Sequence, residues 1–419
     1  MSRKRLRGFE AQLVSPDRSV AKPDTMRRHG LMSVTDAILS HCFGFMGVRS
    51  AMRMGRACRH LYHVSNLKTS LGSHLFLHGN CIADRQFLCT WINWQGRERY
   101  IARWRTRATK ITVYNIDAFA RTDTLQKLGL DTKDEATRKK EWPLAQEWCL
   151  VNKNLCGTVG QDLIRCATSI RVERNFEMTN LRLFGRTLTQ LHLKNCTLHK
   201  EQIVDLVRSC PHVIDFAANM CIDGLWCMDA WAERLVCVDF GVHATPMKIE
   251  DDMKQLCIKL KDVGSTFVAC TQLYINTFPW ILGASFACGI PHLQMLEIGI
   301  YGKDTPIGWS SSLSGYRMAS TRMNTLIIPR LDLAYMAAVH AIADIIGLSI
   351  AHLKTLVLKD VYHSETQPLP SLCETLILFT GLQRVYVQSS YIQPLAAVIS
   401  STLKRDVDVA NVAYKCNWA

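Results

Sequence analysis

The apolar positions of this chain fall into a recurring short spacing. Leu188-Thr-Gln-Leu191-His-Leu193-Lys-Asn-Cys196-Thr-Leu198 reads L-x-x-L-x-L-x-x-C-x-L at every specified position. Leu191 and Leu193 stand two apart, so they point to one face of a short strand, and Leu188, Cys196 and Leu198 close the same core from the flanking turns. With Val, Ile, Ala, Phe, Met or Cys allowed, the L-x-x-L-x-L part recurs. It is found at Ala108/Ile111/Val113, Ala167/Ile170/Val172, Val213/Phe216/Ala218, Leu235/Val238/Phe240 and Cys270/Leu273/Ile275. Leu293/Leu296/Ile298, Met323/Leu326/Ile328, Leu353/Leu356/Leu358 and Leu382/Val385/Val387 complete the series. Most intervals lie between about 21 and 30 residues, and two are longer.

Between these strands the period changes from two to about 3.6. Ile203, Leu206, Val207 and Cys210 sit at helical spacing, as do Ile249, Met253, Leu256 and Leu260. Strand, turn and helix at a fixed period fit the leucine-rich-repeat template, in which no unit buries its apolar face without its neighbours. The fold class is therefore α/β, a leucine-rich-repeat-like solenoid over residues 107–391; an ordinary α/β domain with apolar strands is the alternative. Residues 392–419 read as a terminal cap, with Leu395, Val398, Ile399 and Leu403 on one helical face. In the long Ala108–Ala167 interval, the mixed-charge run from Asp131 to Glu141 reads as an exposed insertion or a solvated helix. Gly308–Gly315 is a loop by composition.

The region before the solenoid divides in three. Residues 1–29 hold many arginines and lysines against few acids and little that could form a core, and read as a disordered basic tail. Residues 30–66 carry three short helical patterns: Ile38, Leu39 and Cys42; Val48, Ala51 and Met52; Ala57, Cys58, Leu61 and Tyr62. Fewer than fifty residues make a marginal free-standing bundle, so this block is expected to dock on something. Residues 67–106 form a connector or cap.

The block at 30–66 resembles the F-box, with Leu31-Met32 at the opening, Ile38-Leu39 as the apolar pair, Phe43 as the later aliphatic position, Val48 and Met52 before the last helix, and Ala57-Cys58-Arg59-His60-Leu61 at the closing signature. The family's opening proline is missing and leucine stands at its tryptophan. The resemblance implies a small all-α module that docks on the adaptor Skp1 through Leu31, Met32, Ile38, Leu39, Phe43, Val48, Met52, Cys58 and Leu61. F-box followed by leucine-rich repeats is a recurrent layout, which implies a substrate-recruiting subunit of a cullin-type ubiquitin ligase. A plain helical cap on the solenoid is the other reading of the same residues. The repeats would hold the target on the concave strand face, at the outward positions Arg171, His192, Lys194, Asp239, Tyr274, Glu297, Thr355 and Lys359.

Charge adds a second hypothesis. The net charge is +14, which permits a nucleic-acid or acidic partner without identifying one. Arg97, Arg99, Arg103, Trp104, Arg105, Arg107 and Lys110 interleave arginine with aromatics, as a single-stranded RNA surface would. Arginine stems lying across buried tryptophans give the same pattern for structural reasons. In layout and basicity the chain is loosely similar to protozoan cyclin F-box proteins, some of which act on messenger RNA. The alternative function is accordingly a regulator of mRNA stability or translation, or a structural subunit of a ribonucleoprotein.

Enzymatic signatures are missing. There is no G-x-x-x-x-G-K-[ST], G-x-S-x-G or H-E-x-x-H. Cys58-x-His60-x-x-His63 and His192-x-x-x-Cys196-x-x-His199 have zinc-type residues but lack a second ligand pair at ordinary spacing, so no metal and no cofactor are expected. The seventeen cysteines form no Cys-x-x-Cys pair and read as free thiols of a reducing compartment. The expectation is a non-enzymatic, soluble protein of the cytoplasm, with the nucleus as the alternative and no membrane partner.

Overall fold

The computed structural model describes residues 38–39, 42, 57, 74–78, 105–119, 124–132, 135–155, 160–176, 178–243, 250–278, 280–299, 317–329, 331–332, 352–359, 361–362, 376, 381–387 and 408–410. Among these, thirteen strands form one parallel sheet in which every strand lies beside its sequence neighbours in the sheet. They are β1 (His74–His78), β2 (Lys110–Tyr114), β3 (Glu147–Leu155), β4 (Ser169–Phe176), β5 (Gln190–Leu198), β6 (Asp215–Cys221), β7 (Cys237–His243), β8 (Gln272–Phe278), β9 (Met295–Ile298), β10 (Thr325–Ile328), β12 (Thr355–Leu358), β14 (Arg384–Val387) and β15 (Asp408–Ala410). Two short strands, β11 (Leu331–Asp332) and β13 (Val361–Tyr362), pair with each other. A mixed α/β chain built on a parallel sheet in strict sequence order is compatible with a repeat solenoid.

The ten apolar triplets account for ten of these strands, and their members are buried throughout. Register explains the uniformity: Leu191, Phe216, Val238, Leu273, Leu296, Leu326, Leu356 and Val385 stand side by side across eight strands. Each unit thus closes the core of the next. Aromatic rings fill the middle of the stack, with Phe216 against Trp231 at 5.0 Å, Phe216 against Phe240 at 6.1 Å and Phe240 against Phe286 at 6.1 Å.

Five helices matter here: α1 (Glu135–Glu141), α2 (Gln161–Cys166), α3 (Lys200–Ser209), α4 (Glu250–Thr266) and α5 (Trp280–Gly289). Helices α3 and α4 follow the periodicity that predicts them. Helix α5 is buried at every residue and so carries no amphipathic stripe. It reaches α4 at two glycines: a Cβ on Gly289 would meet the carbonyl oxygen of Lys261 at 2.0 Å, and one on Gly264 that of Phe286 at 2.2 Å. No larger residue permits that approach.

Three expectations need correction. The long Ala108–Ala167 interval contains a further strand, β3, whose core side sets Trp148 and Asn152 on either side of Leu150. Asn152 is tolerated there because its Oδ1 accepts the Ile116 amide at 2.8 Å. The charged run forms the expected solvated helix over α1, with Glu135, Ala136, Thr137, Lys139 and Lys140 exposed, while Arg138 turns inward, donates to the Asp162 carbonyl at 3.2 Å and lies 5.7 Å over the Trp148 ring. The sheet also begins before residue 107, at β1 inside the assigned connector, and continues past 391 into β15. Gly308–Gly315 and the helical pattern 395–403 lie outside the described residues.

Candidate interaction face

Alternation sends every second side chain of the sheet away from the core. Register sorts these outward residues into rows that cross the strands. One row runs Phe76, Thr112, Cys149, Ser169, Gln190, Asp215, Cys237, Gln272 and Met295 from β1 to β9. The next runs Tyr114, Val151, Arg171, His192, Ala217, Asp239, Tyr274 and Glu297 from β2 to β9. Five of the expected target contacts therefore stand in a single row: Arg171, His192, Asp239, Tyr274 and Glu297.

A groove of about 630 Å³ follows these rows, lined by side chains from nine successive strands. Its floor is mostly neutral. Burial raises the thiol pKa values of Cys149 and Cys237, so both stay protonated and uncharged at pH 7. Burial, with help from Lys110, lowers the pKa of His74. At the β1 end His74 meets Phe76 edge-on at 5.7 Å and Phe76 lies 4.8 Å from Tyr114, while the His74 Nε2 hydrogen-bonds with Thr112 Oγ1 at 2.8 Å. At the other end the Tyr274 hydroxyl donates to the Met295 sulfur at 4.0 Å.

Carboxylates gather toward that second end. Asp215 Oδ1 bonds His192 Nε2 at 2.9 Å, and Glu297 Oε2 accepts from Lys359 Nζ at 2.7 Å. Asp239 lies between them in sequence register, and its pKa rises to about 6. Burial is the main cause and Glu297 adds to it, while His192 and Lys194 act in the opposite direction. Beyond β9 the outward row turns apolar. Ile327 and Val357 are each 1% exposed although they point away from the core. The Lys359 side chain starts beyond the end of β12 and reaches Glu297 on β9, so it crosses β10 between them. Beyond β9 this row is closed at Ile327 and Val357 and opens again at Tyr386 on β14.

The remaining expected sites fare differently. Thr355 belongs to the neighbouring row, beside Thr325 and Arg384. Lys194 sits where the β5–β6 register shifts. His192 and Lys359 are engaged with Asp215 and Glu297, so they act as internal partners of the face before they can meet a target. Of the RNA-type residues, Arg105 pairs with Glu141, donates to the Leu128 carbonyl at 3.3 Å and lies 6.0 Å over the Trp142 ring. Lys110 pairs with Glu147 at 2.7 Å, and Arg107 is half-buried. That is the structural arrangement of arginine stems on buried tryptophans. Arg97, Arg99, Arg103 and Trp104 lie outside the described residues.

In the F-box-like block, Leu39 is 1% exposed and Ile38 is 55% exposed. Leu31, Met32, Phe43, Val48, Met52, Cys58 and Leu61 lie outside the described residues. Among the described residues no group of three His, Cys, Asp or Glu side chains is arranged to hold a metal. Within the second zinc-type pattern, His192 faces the groove, Cys196 packs into the core and His199 stands 3.6 Å from the Cys221 sulfur. The first pattern, Cys58, His60 and His63, lies outside the described residues. No helix among them is long and apolar enough to cross a membrane.

Sequence reasoning found the outward row but missed its aromatic end, because β1 is short and its Leu75/Leu77 alternation lacks the leading apolar residue of the template. It also missed the groove floor, whose Thr, Ser, Gln and Cys residues carry no motif.

No family model and no curated protein matches the chain. Among solved structures, 46 chains match. One of them belongs to the crystal structure of the Rad7 and Elc1 complex in yeast, at 8% identity and a TM-score of 0.34, covering 79% of this chain and 90% of that one.

Proposed function

We propose that this chain is a non-enzymatic adaptor whose open sheet face holds a protein target and whose F-box-like segment docks on a Skp1-like partner of a ubiquitin ligase. The observation that carries the reading is the groove across β1–β9, with its mostly neutral hydrogen-bonding floor and aromatic end, and the carboxylates of Asp239 and Glu297 beside its lining residue Tyr274. A surface built from many strands with modest polar contacts and a few aromatic anchors suits a macromolecular epitope. A protein target is favoured over RNA. Asp215, Asp239 and Glu297 would repel a phosphate chain, and Arg105 and Lys110 already have carboxylate partners.

The docking half of the reading rests on Ile38, a large aliphatic side chain left mostly exposed on a helical turn while its neighbour Leu39 is buried. Ile38→Asp is therefore the discriminating substitution; Leu39→Asp would bury a charge and unfold the segment. The test is affinity capture of the full tagged chain at low and high salt, with and without RNase. A Skp1-like adaptor retained at high salt and after RNase, and lost from Ile38→Asp at an unchanged thermal midpoint, is the expected result. An adaptor still captured by Ile38→Asp, or partners that vanish with RNase, would remove this reading.

A further inference from the structure

The aromatic end of the groove and the acidic residues beside it differ in chemistry: Asp239 and Glu297 flank the lining residue Tyr274 without lining the groove themselves. At β1–β2 the half-buried rings of Phe76 and Tyr114, with Val151 beside them, form a small apolar platform. At β7 the Asp239 carboxylate stands between Ala217 and Tyr274 in the same row as Tyr114. The charged groups facing it are His192 and Lys194 from β5, Asp215 from β6 and Glu297 from β9. His192 is bonded to Asp215 and Glu297 to Lys359, and among the described residues no cation stands at ion-pair distance from Asp239. Two acids already crowd it, and burial holds its proton up to about pH 6. A visiting cation would relieve both penalties at once.

Five inter-strand steps separate β2 from β7. At about 4.8 Å each they span roughly 24 Å, which an extended chain covers in about seven residues. Between the ends, Ser169 and Gln190 offer hydrogen-bonding groups to a backbone laid across the strands.

We propose that the groove takes an extended polypeptide segment of the target, with an aromatic or large aliphatic side chain on Phe76–Tyr114 and an arginine or lysine about seven residues away on Asp239. The proposal deepens the adaptor reading and rests on it. It specifies a linear basic-apolar motif instead of a folded epitope, and a polyanion is excluded by the same carboxylates.

The test uses the immobilised full-length chain and a phage-displayed library of random twelve-residue peptides. Enriched sequences should pair an apolar residue with Arg or Lys six to eight positions apart. Measured by fluorescence anisotropy at pH 7.5, the synthetic peptides should bind Asp239→Asn and Phe76→Ala at least tenfold more weakly. Lowering the pH from 7.5 to 5 should weaken binding to the native chain and leave Asp239→Asn unaffected. The Asn variant keeps the side-chain shape, and its thermal midpoint should not fall, which separates lost binding from unfolding. Enrichment of acidic sequences, equal binding to both variants, or displacement of the peptides by a twenty-nucleotide RNA would overturn the proposal. So would a library that yields no motif. If the chain still crosslinks a protein through its groove in that case, the extended segment falls and the adaptor reading stands.

Discussion

The two halves of the sheet solve the same core problem and treat their outer faces in opposite ways. From β3 to β8 the strands are seven to nine residues long, and β7 and β8 alternate core and outer residues, as in Cys237-Val-Asp-Phe-Gly-Val and Gln272-Leu-Tyr-Ile-Asn. From β9 to β14 the sheet-forming strands shorten to four residues, and β10 and β12 read Thr-Leu-Ile-Ile and Thr-Leu-Val-Leu. A strand apolar on both sides is a strand buried on both sides. Ile327 and Val357 are accordingly shut in beside the Lys359–Glu297 pair, while β1–β9 keep an open, polar groove. The difference teaches that the core pattern specifies the solenoid and the positions between its leucines specify where it can bind.

The largest effect should come from the core shared by both halves. Phe240→Ala removes a ring that contacts Phe216 and Phe286 and should cost about 3 to 5 kcal/mol in urea unfolding. If the repeats couple as neighbours, both halves lose stability in one transition; separate transitions would show two independent units.

Next is the clamp that closes the second half. Lys359→Ala leaves Glu297 without its cation in a mostly shielded site and should destabilise by about 2 to 4 kcal/mol, whereas Lys359→Met with Glu297→Met should be close to neutral. Thermal melts of the single and double variants decide this. Equal losses would mean the pair does not shield Ile327 and Val357.

In the open half the prediction reverses sign. The folded state holds the Asp239 proton more tightly than the unfolded chain does, so stability falls as pH rises from about 4 through 6 and stays low above it. Asp239→Asn should therefore stabilise the protein at pH 7.5 by about 1 to 2 kcal/mol, and the gain should fade near pH 4. A destabilised Asn variant at pH 7.5 would show that the acid holds the fold together instead of waiting for a partner. The smallest effect belongs to the Lys110–Glu147 pair at the exposed margin: Lys110→Ala should change stability by less than about 1 kcal/mol.

Much of the fold was legible because burial in a repeat is local. Each apolar triplet names its own strand, and α3 and α4 display one apolar face. What stayed hidden lacked that signature. Trp148 and Asn152 replace the aliphatics of β3, and the second is acceptable only because of Ile116, 36 residues away. Helix α5 is apolar all round, so nothing in its period marks it. The face was legible as alternation, which placed Arg171, His192, Asp239, Tyr274 and Glu297 correctly outward. Their partnerships were not: His192 meets Asp215 across 23 residues and Glu297 meets Lys359 across 62. Only register brings such pairs together, and they decide which charges a target would find.

The central claim is that the target lies along the open half of the sheet. A photo-crosslinking residue placed singly at Gln190 or Gln272, both exposed on the groove floor, and at Glu201 on α3 as the control, tests it directly in cells. The account predicts the same crosslinked protein from Gln190 and Gln272 and none from Glu201. Crosslinks confined to Glu201, or to RNA at the groove positions, would contradict it.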